Sequence, residues 1–241
     1  MEREFEKVYK IDSSHVDYQH RLKVSALVNM LIQIASDHAD ILKFGFFNLD
    51  PSGLSWVLSR FTIEFTSHAK WYETIRMKTW PKGLNRLFYQ RDAIAYLPDG
   101  NEFSRLSSDW LIIDQKTRRP KLFDKENPIL KENYDQHALN EPVPVLKFCN
   151  HCTHTKTFQL FYSDIDLNGH LTATRYIDFV FDMFDLDELT QPPKKINVNY
   201  IHEALFGELV IMKHFKNDKL HQFELTNNQG DKTLFRAELY F

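Results

Sequence analysis

Glycine is scarce in this sequence. Seven occur in 241 residues, at 45, 53, 83, 100, 169, 207 and 230. No two are spaced for a G-x-S-x-G nucleophile elbow, a G-x-G-x-x-G dinucleotide loop or a G-x-x-x-x-G-K phosphate loop, so none of these sites is written here. Cysteine is scarcer still. Cys149 and Cys152 make no disulfide framework, and a reducing compartment is the expectation. An excess of one charge is also missing: 30 basic residues stand against 33 acidic ones, a net of −3. General nucleic-acid binding needs a strongly basic domain or stripe and is excluded. No run approaches the ~20 apolar residues of a membrane span. The start, Met1-Glu-Arg-Glu-Phe-Glu-Lys7, is charged and has no apolar signal core. A cytoplasmic protein with no membrane span is expected.

Apolar residues make up 43% of the chain, with 20 Phe, enough for a real core. The length fits one large domain or two of about 120 residues. Between Arg119 and Phe148 the composition changes: Pro120, Pro128, Pro142 and Pro144 fall among Asp, Glu, Lys and Asn. That stretch reads as a linker or extended crossover. The expected organisation is 1–119, a crossover over 120–148, and 149–241.

The two flanking segments resemble each other. Phe61–Lys78 aligns with Ile196–Lys213 at a constant offset of 135, with Ala69/Ala204, Glu73/Glu208, Met77/Met212 and Lys78/Lys213 identical. Further on, Asp99-Gly100 precedes Phe103-Ser-Arg105, and Gln229-Gly230 precedes Leu234-Phe-Arg236. Two matches in the same order indicate duplication. Each copy begins with a short strand. A helix follows, from Ser25 to about Ile41 with Leu27, Leu31, Ile34 and His38 on one face, or from about Thr172 to Phe184 with Tyr176, Ile177, Val180, Phe181 and Phe184 on one face. Strands with period-2 alternation come next, such as Phe61, Ile63, Phe65 and Ile75, Met77, Thr79. The predicted fold class is α+β: an antiparallel sheet wrapped around one helix, twice.

The densest polar cluster is Tyr162-Ser-Asp-Ile-Asp-Leu-Asn-Gly-His-Leu-Thr-Ala-Thr-Arg-Tyr176. It joins the strand-like Phe158–Tyr162 to the helix. Asp164, Asp166, Asn168 and His170 put carboxylates, an amide and an imidazole beside the free amides of a helix start, where a developing anion is stabilised. That set suits attack on a carbonyl, with one group activating or supplying the nucleophile and donors holding the oxyanion. Asp-x-Asn-Gly is equally an ordinary turn and N-cap sequence. Copy one has Asp17-Tyr-Gln-His20 at the equivalent place, without the full set.

Asp164-Ile-Asp-Leu-Asn-Gly-His-Leu-Thr172 before an apolar helix with Tyr176 resembles the hot-dog-fold thioesterases, and the tandem arrangement resembles the acyl-ACP thioesterases, the plant FatA/FatB type and their bacterial relatives. The likeness spans nearly the whole chain: Trp56–Arg60, Trp71–Trp80, Ser107–Asp114 and Lys116–Arg119 resemble the family's first repeat, and Asn199-Tyr-Ile-His-Glu-Ala204 resembles the segment bearing its last catalytic carboxylate. The resemblance implies a double hot-dog fold, with an N-terminal repeat that binds the acyl tail and a catalytic C-terminal repeat. It implies Asp166, Asn168, His170 and Glu203 as the catalytic set, and no cofactor. Asp166 attacks the thioester or activates water, Asn168 positions that carboxylate or donates to the oxyanion, His170 protonates the leaving thiolate, and Glu203 orients His170 or activates water. Two departures stand out. Ala204 occupies the place of the plant enzymes' cysteine, and Thr172 that of the usual asparagine, where its hydroxyl is expected to cap the helix.

The implied activity is hydrolysis of fatty acyl-ACP to free acid and carrier, ending chain elongation. The rivals are acyl-CoA hydrolysis on the same fold, an acyl-binding module without catalysis, and a hot-dog dehydratase. The partner is an acidic acyl carrier protein, which the basic run Lys116, Arg118, Arg119 and Lys121, or the run read as its equivalent in copy two, Lys213, His214, Lys216 and Lys219, would steer. Phe44, Phe46 and Phe47 are candidates to line the acyl tunnel. Cys149, His151, Cys152 and His154 hold four possible ligands in six residues, without the two separated doublets of a zinc site. Both a monomer and a homodimer are compatible with a tandem chain.

Overall fold

A computed structural model describes residues 3–123, 128–149, 152–217 and 219–241. His151, one of the four possible ligands, lies outside them. The chain forms two compact units, Met1–Val143 and Pro144–Phe241.

The first unit opens with β1 (Phe5–Lys10), then α1 (Val24–Ile41) and the short α2 (Phe46–Leu49). Five strands follow: β2 (Leu54–Phe65), β3 (Thr74–Asn85), β4 (Phe88–Tyr96), β5 (Glu102–Asp114) and the two-residue β6 (Pro120–Lys121). The single turn α3 (Pro128–Lys131) ends the series. The sheet runs β1-β3-β4-β5-β2, antiparallel throughout. β4 runs out opposite Trp110, so β6 takes over that edge, pairing Lys121 with Ile112. On α1, Leu27, Leu31, Ile34 and His38 are buried, as their spacing predicts. Tyr9 of β1 donates its hydroxyl to the Met30 carbonyl at 3.1 Å, and Lys7 pairs with Asp37 at 2.5 Å. Helix and sheet are thus joined by polar contacts as well as packing.

β3 carries a bulge between Pro81 and Gly83. Proline has no N–H for the ladder, which suits such a break. Gly83 has φ +122°, and a Cβ there would lie 2.9 Å from the Glu132 carbonyl oxygen. The segment after α3 therefore lies directly on the sheet. Trp80 Nε1 donates to Gln136 O at 3.0 Å, and the Ala138 amide donates to Asp92 Oδ2 at 2.7 Å. Composition places 120–148 in a crossover, but its first part is built into this unit by these bonds.

The second unit repeats the plan in shorter form. β7 (His154–Gln159) leads through a 3-10 turn, Tyr162–Asp164, to α4 (Ala173–Phe181), and then β8 (Lys195–Tyr200), β9 (Leu209–Lys216), β10 (Leu220–Asn227) and β11 (Thr233–Tyr240). The sheet runs β8-β11-β10-β9-β7. α4 has nine residues against eighteen in α1. It packs with aromatic rings: Phe179 stacks on Phe158 at 4.3 Å and Tyr176 on Phe235 at 5.2 Å. The buried Asn199 of β8 holds the incoming chain, accepting from Leu146 N at 2.8 Å and donating to Pro144 O at 3.0 Å.

Two expectations are corrected. Thr172 precedes α4, but its hydroxyl donates to Asp164 O at 3.0 Å instead of accepting from a first-turn amide. His214 is no surface cation: it is 5% exposed and sits on the inner face of β9 with Val210 and Met212. Its run is also not equivalent to Lys116–Lys121, which follows β5 at the end of the other repeat's strands.

Candidate active site

Asp166 builds the turn that leads into α4. Its Oδ1 accepts the Asn168 amide at 2.8 Å and the His170 amide at 3.2 Å. Its own amide donates to His170 O at 2.8 Å, and Gly169 N donates to Asp166 O at 3.0 Å. Gly169 takes φ +81°, the left-handed conformation that glycine adopts without strain. The buried Asp164 secures the turn from beneath, accepting Phe161 N at 2.8 Å and Arg175 Nε at 2.8 Å. It serves the scaffold. Among the described residues nothing holds Asp166 Oδ2 or the exposed Asn168 side-chain amide.

Glu203 reaches the same place from the segment after β8. Leu171 N donates to Ala204 O at 2.9 Å, and His170 bridges to Leu205, so the two segments lie side by side. His170 Nε2 comes to 3.3 Å from Glu203 Oε2. At that distance Nε2 can direct a hydrogen to the carboxylate whether the imidazole is neutral or protonated. Below the segment, the Tyr176 hydroxyl donates to His202 O at 3.4 Å, and the Tyr200 hydroxyl donates to Ala173 O at 2.8 Å. Burial pushes both phenol pKa values well up, so both stay neutral donors. Leu167, Leu205 and Phe206 are exposed beside the pair. Asp166, Asn168, His170 and Glu203 thus gather on two adjoining segments of one unit.

The first unit contains the same construction with different letters. Asp17 Oδ1 accepts the Gln19 and Arg21 amides, each at 2.9 Å, and Leu22 N donates to Ala69 O at 2.8 Å. His20, with φ +64°, stands where Gly169 does. The equivalents of Asn168, His170 and Glu203 are therefore Gln19, Arg21 and His68. Arg21 pairs with Asp17 Oδ2 at 2.9 Å, and burial lowers the His68 pKa to about 4, with the Arg21 charge adding to the shift. Sequence reasoning found Asp17 and Gln19 but not Arg21 or His68. The signal was the Ala69/Ala204 match, which already set His68 over Glu203.

The first unit also has a cavity of about 450 Å³, counting its open mouth. Ala35, Ala39, Phe44, Trp56, Trp110 and Arg91 are among its lining residues. Of the three candidate phenylalanines only Phe44 lines it; Phe46 and Phe47 are exposed elsewhere. Among the described residues no three His, Cys, Asp or Glu side chains gather as a metal ion would need. No described helix is long and apolar enough to cross a membrane.

Comparison with known proteins agrees across both repeats. The model of the acyl-ACP thioesterase N-terminal domain matches residues 2–128, and that of the C-terminal domain matches residues 150–240. The crystal structure of an acyl-ACP thioesterase from Bacteroides thetaiotaomicron is 26% identical, covers 99% of this chain and 98% of its own, and superposes with a TM-score of 0.89. The 12:0-ACP thioesterase of Umbellularia californica has the same fold at 17% identity, with a TM-score of 0.86 over 100% of this chain and 97% of its own. The chloroplastic palmitoyl-acyl carrier protein thioesterase of Cuphea hookeriana is 22% identical over 217 residues, 83% of this chain and 52% of that protein. The chain spans about half the length of the curated relatives it matches. With its two antiparallel repeats and both domain models matched in order, this chain belongs to the acyl-ACP thioesterase family and has its hot-dog fold.

Proposed function

We propose that this protein hydrolyses fatty acyl-ACP, releasing the free acid and the carrier and so ending chain elongation in the cytoplasm. The observation that carries this reading is the 3.3 Å contact of His170 with Glu203, on the turn that also presents Asp166 and Asn168. In this reading the 149–241 repeat is catalytic and the 1–119 repeat takes the acyl tail, in line with its cavity. Asp166 Oδ1 is occupied by two amides, so Oδ2 is the atom that meets water. It takes a proton as the water oxygen bonds to the thioester carbon. The carbonyl electrons move to oxygen, where the Asn168 side-chain amide donates. On collapse the C–S bond breaks, the thiolate takes a proton from His170, which Glu203 holds, and the proton on Asp166 Oδ2 replaces it, so both side chains return to their starting state. No cofactor enters this scheme.

The test offers acyl-ACP and acyl-CoA of several chain lengths and measures free thiol and free acid. Faster release from the carrier protein, lost in Asp166→Ala and Asp166→Asn, is the expected result. Release from CoA alone assigns the chain to the other carrier. Binding without release makes it an acyl-binding protein, and wild-type rates in both variants remove Asp166 from the reaction.

A further inference from the structure

The first unit buries a cation that no carboxylate among the described residues neutralises. Arg91 of β4 is 6% exposed and lines the cavity. Its Nη1 donates to Thr79 Oγ1 and lies against His38 Nδ1, each at 3.2 Å. Arginine only donates, so that imidazole nitrogen accepts and carries no proton. Ser108 Oγ binds the Arg91 carbonyl, not its guanidinium. The neighbouring Asp92 belongs to the other face of the strand, held by Ser107, Lys82 and the Ala138 amide. Among the described residues no carboxylate meets the Arg91 guanidinium. Arg60, Arg175 and Arg236 differ: they pair with Asp109, Asp164 and Glu224 at 2.6, 2.8 and 2.8 Å. Burial lowers the Arg91 pKa to about 9, so it still carries its charge at neutral pH. An uncompensated buried charge is costly, and a partner that supplies the missing anion recovers that cost.

The walls say what else the partner must be. Ala35, Ala39, Phe44, Trp56 and Trp110 present carbon surface, with Ser36 and Gln90 among the few polar neighbours. Small side chains on α1 leave room against the rings. Trp56 and Trp110 have already spent their indole N–H groups, on Phe44 O at 2.8 Å and Ser108 Oγ at 2.9 Å, so neither competes for the ligand. We propose that this cavity is a binding site for an aliphatic carboxylate, with the carboxylate on the Arg91 guanidinium and the chain along the apolar walls. The site does not depend on thioester hydrolysis, and its test involves no turnover, so either reading fails without the other.

Trp56 and Trp110 provide the signal. Decanoate and its uncharged counterpart decanol are titrated into the full chain, with tryptophan emission as the readout. Decanoate binds about tenfold more tightly than decanol, the scale of one charge-assisted contact. In Arg91→Met that preference disappears, and the variant melts no lower than wild type because a buried charge has been removed. A third titration uses a monoamide of decanedioic acid, whose carboxylate lies at the far end of a blocked chain. Tighter binding than decanoate assigns the anion to the end of a carried chain; equal or weaker binding assigns it to a free acid. Equal binding of decanoate and decanol, no binding of either, or a preference that survives Arg91→Met overturns the proposal. Should Arg91→Met fail to fold, the wild-type decanoate and decanol pair decides alone.

Discussion

Asp17 and Asp166 make the same turn, each accepting through Oδ1 the backbone amides two and four residues further on. Whatever Asp166 does in chemistry, it shares a structural task with a residue that has no His170 or Glu203 beside it. The pair separates the two tasks. Asp17→Ala is expected to cost about 1 kcal/mol of stability, the order of a net hydrogen bond, and to leave turnover unchanged. Asp166→Ala is expected to show a similar loss of stability and a fall in kcat of at least ~10²-fold. Thermal melting and thioester turnover on both proteins check this. A fall in kcat for Asp17→Ala that matches Asp166→Ala would tie the effect to folding.

Glu203→Gln keeps the size of the side chain and removes its charge. If Glu203 holds His170 for proton transfer, kcat falls by roughly 10²-fold while KM changes little, since the tail contacts are untouched. The measurement is steady-state turnover over a range of substrate concentrations. A change confined to KM would place Glu203 in binding instead.

Acid is expected to weaken the fold. His214 Nε2 lies 3.0 Å from His221 Nδ1, both rings are buried, and Phe184 and Phe223 pack against them. Desolvation, with the positive charges of His221, His154 and Lys216 adding to it, lowers the His214 pKa to about 4; His221 shifts the same way, and Glu188 opposes both. Between pH 6.5 and 4 the unfolded chain therefore binds more protons than the folded one. Stability is full above pH 6.5 and falls as pH drops towards 4, by an amount on the order of 1–3 kcal/mol. His68 in the first unit contributes in the same direction. Urea unfolding at pH 7.5 and pH 5 measures the loss, and His214→Gln should reduce it. A pH-independent midpoint would sink the assignment.

Asp92 pins the end of the first unit. It is buried and accepts from Ser107 Oγ and Ala138 N, both at 2.7 Å, with Lys82 Nζ at 3.4 Å. Removing the carboxylate leaves three donors without their acceptor. Asp92→Ala is expected to destabilise by about 3 kcal/mol and to raise hydrogen exchange at Ala138 and Leu139 before the rest of the unit. Unchanged protection there would mean that the segment is held by Trp80 and Gln136 alone.

Much of this was legible from periodicity. Leu27, Leu31, Ile34 and His38 fixed the buried face of α1, and Phe61 and Ile63 gave an inward pair on β2. The polar turn before α4 was legible because Asp, Asn and Gly have few other uses so close together. The rest depends on contacts that composition and spacing do not carry. Four prolines made 120–148 read as extended chain, but composition carries no word of Trp80 and Asp92, which draw its first part onto the sheet. His214 reads as a charge by residue type, although Val210 and Met212 before it already mark an inward face. Arg21 and His68 carry no motif of their own, and only the repeat alignment makes them counterparts of His170 and Glu203.

Gly83 carries a further implication. Its hydrogen is all that separates the β3 bulge from the Glu132 carbonyl, and Gly83 and Leu130 both border the cavity. Any larger side chain at that position would shift the strap over 128–134 and with it one wall of the chamber. The depth available to an occupant is thus governed from outside, by the thinnest residue in the alphabet, and a homologue could alter its ligand length there without touching a single apolar lining group.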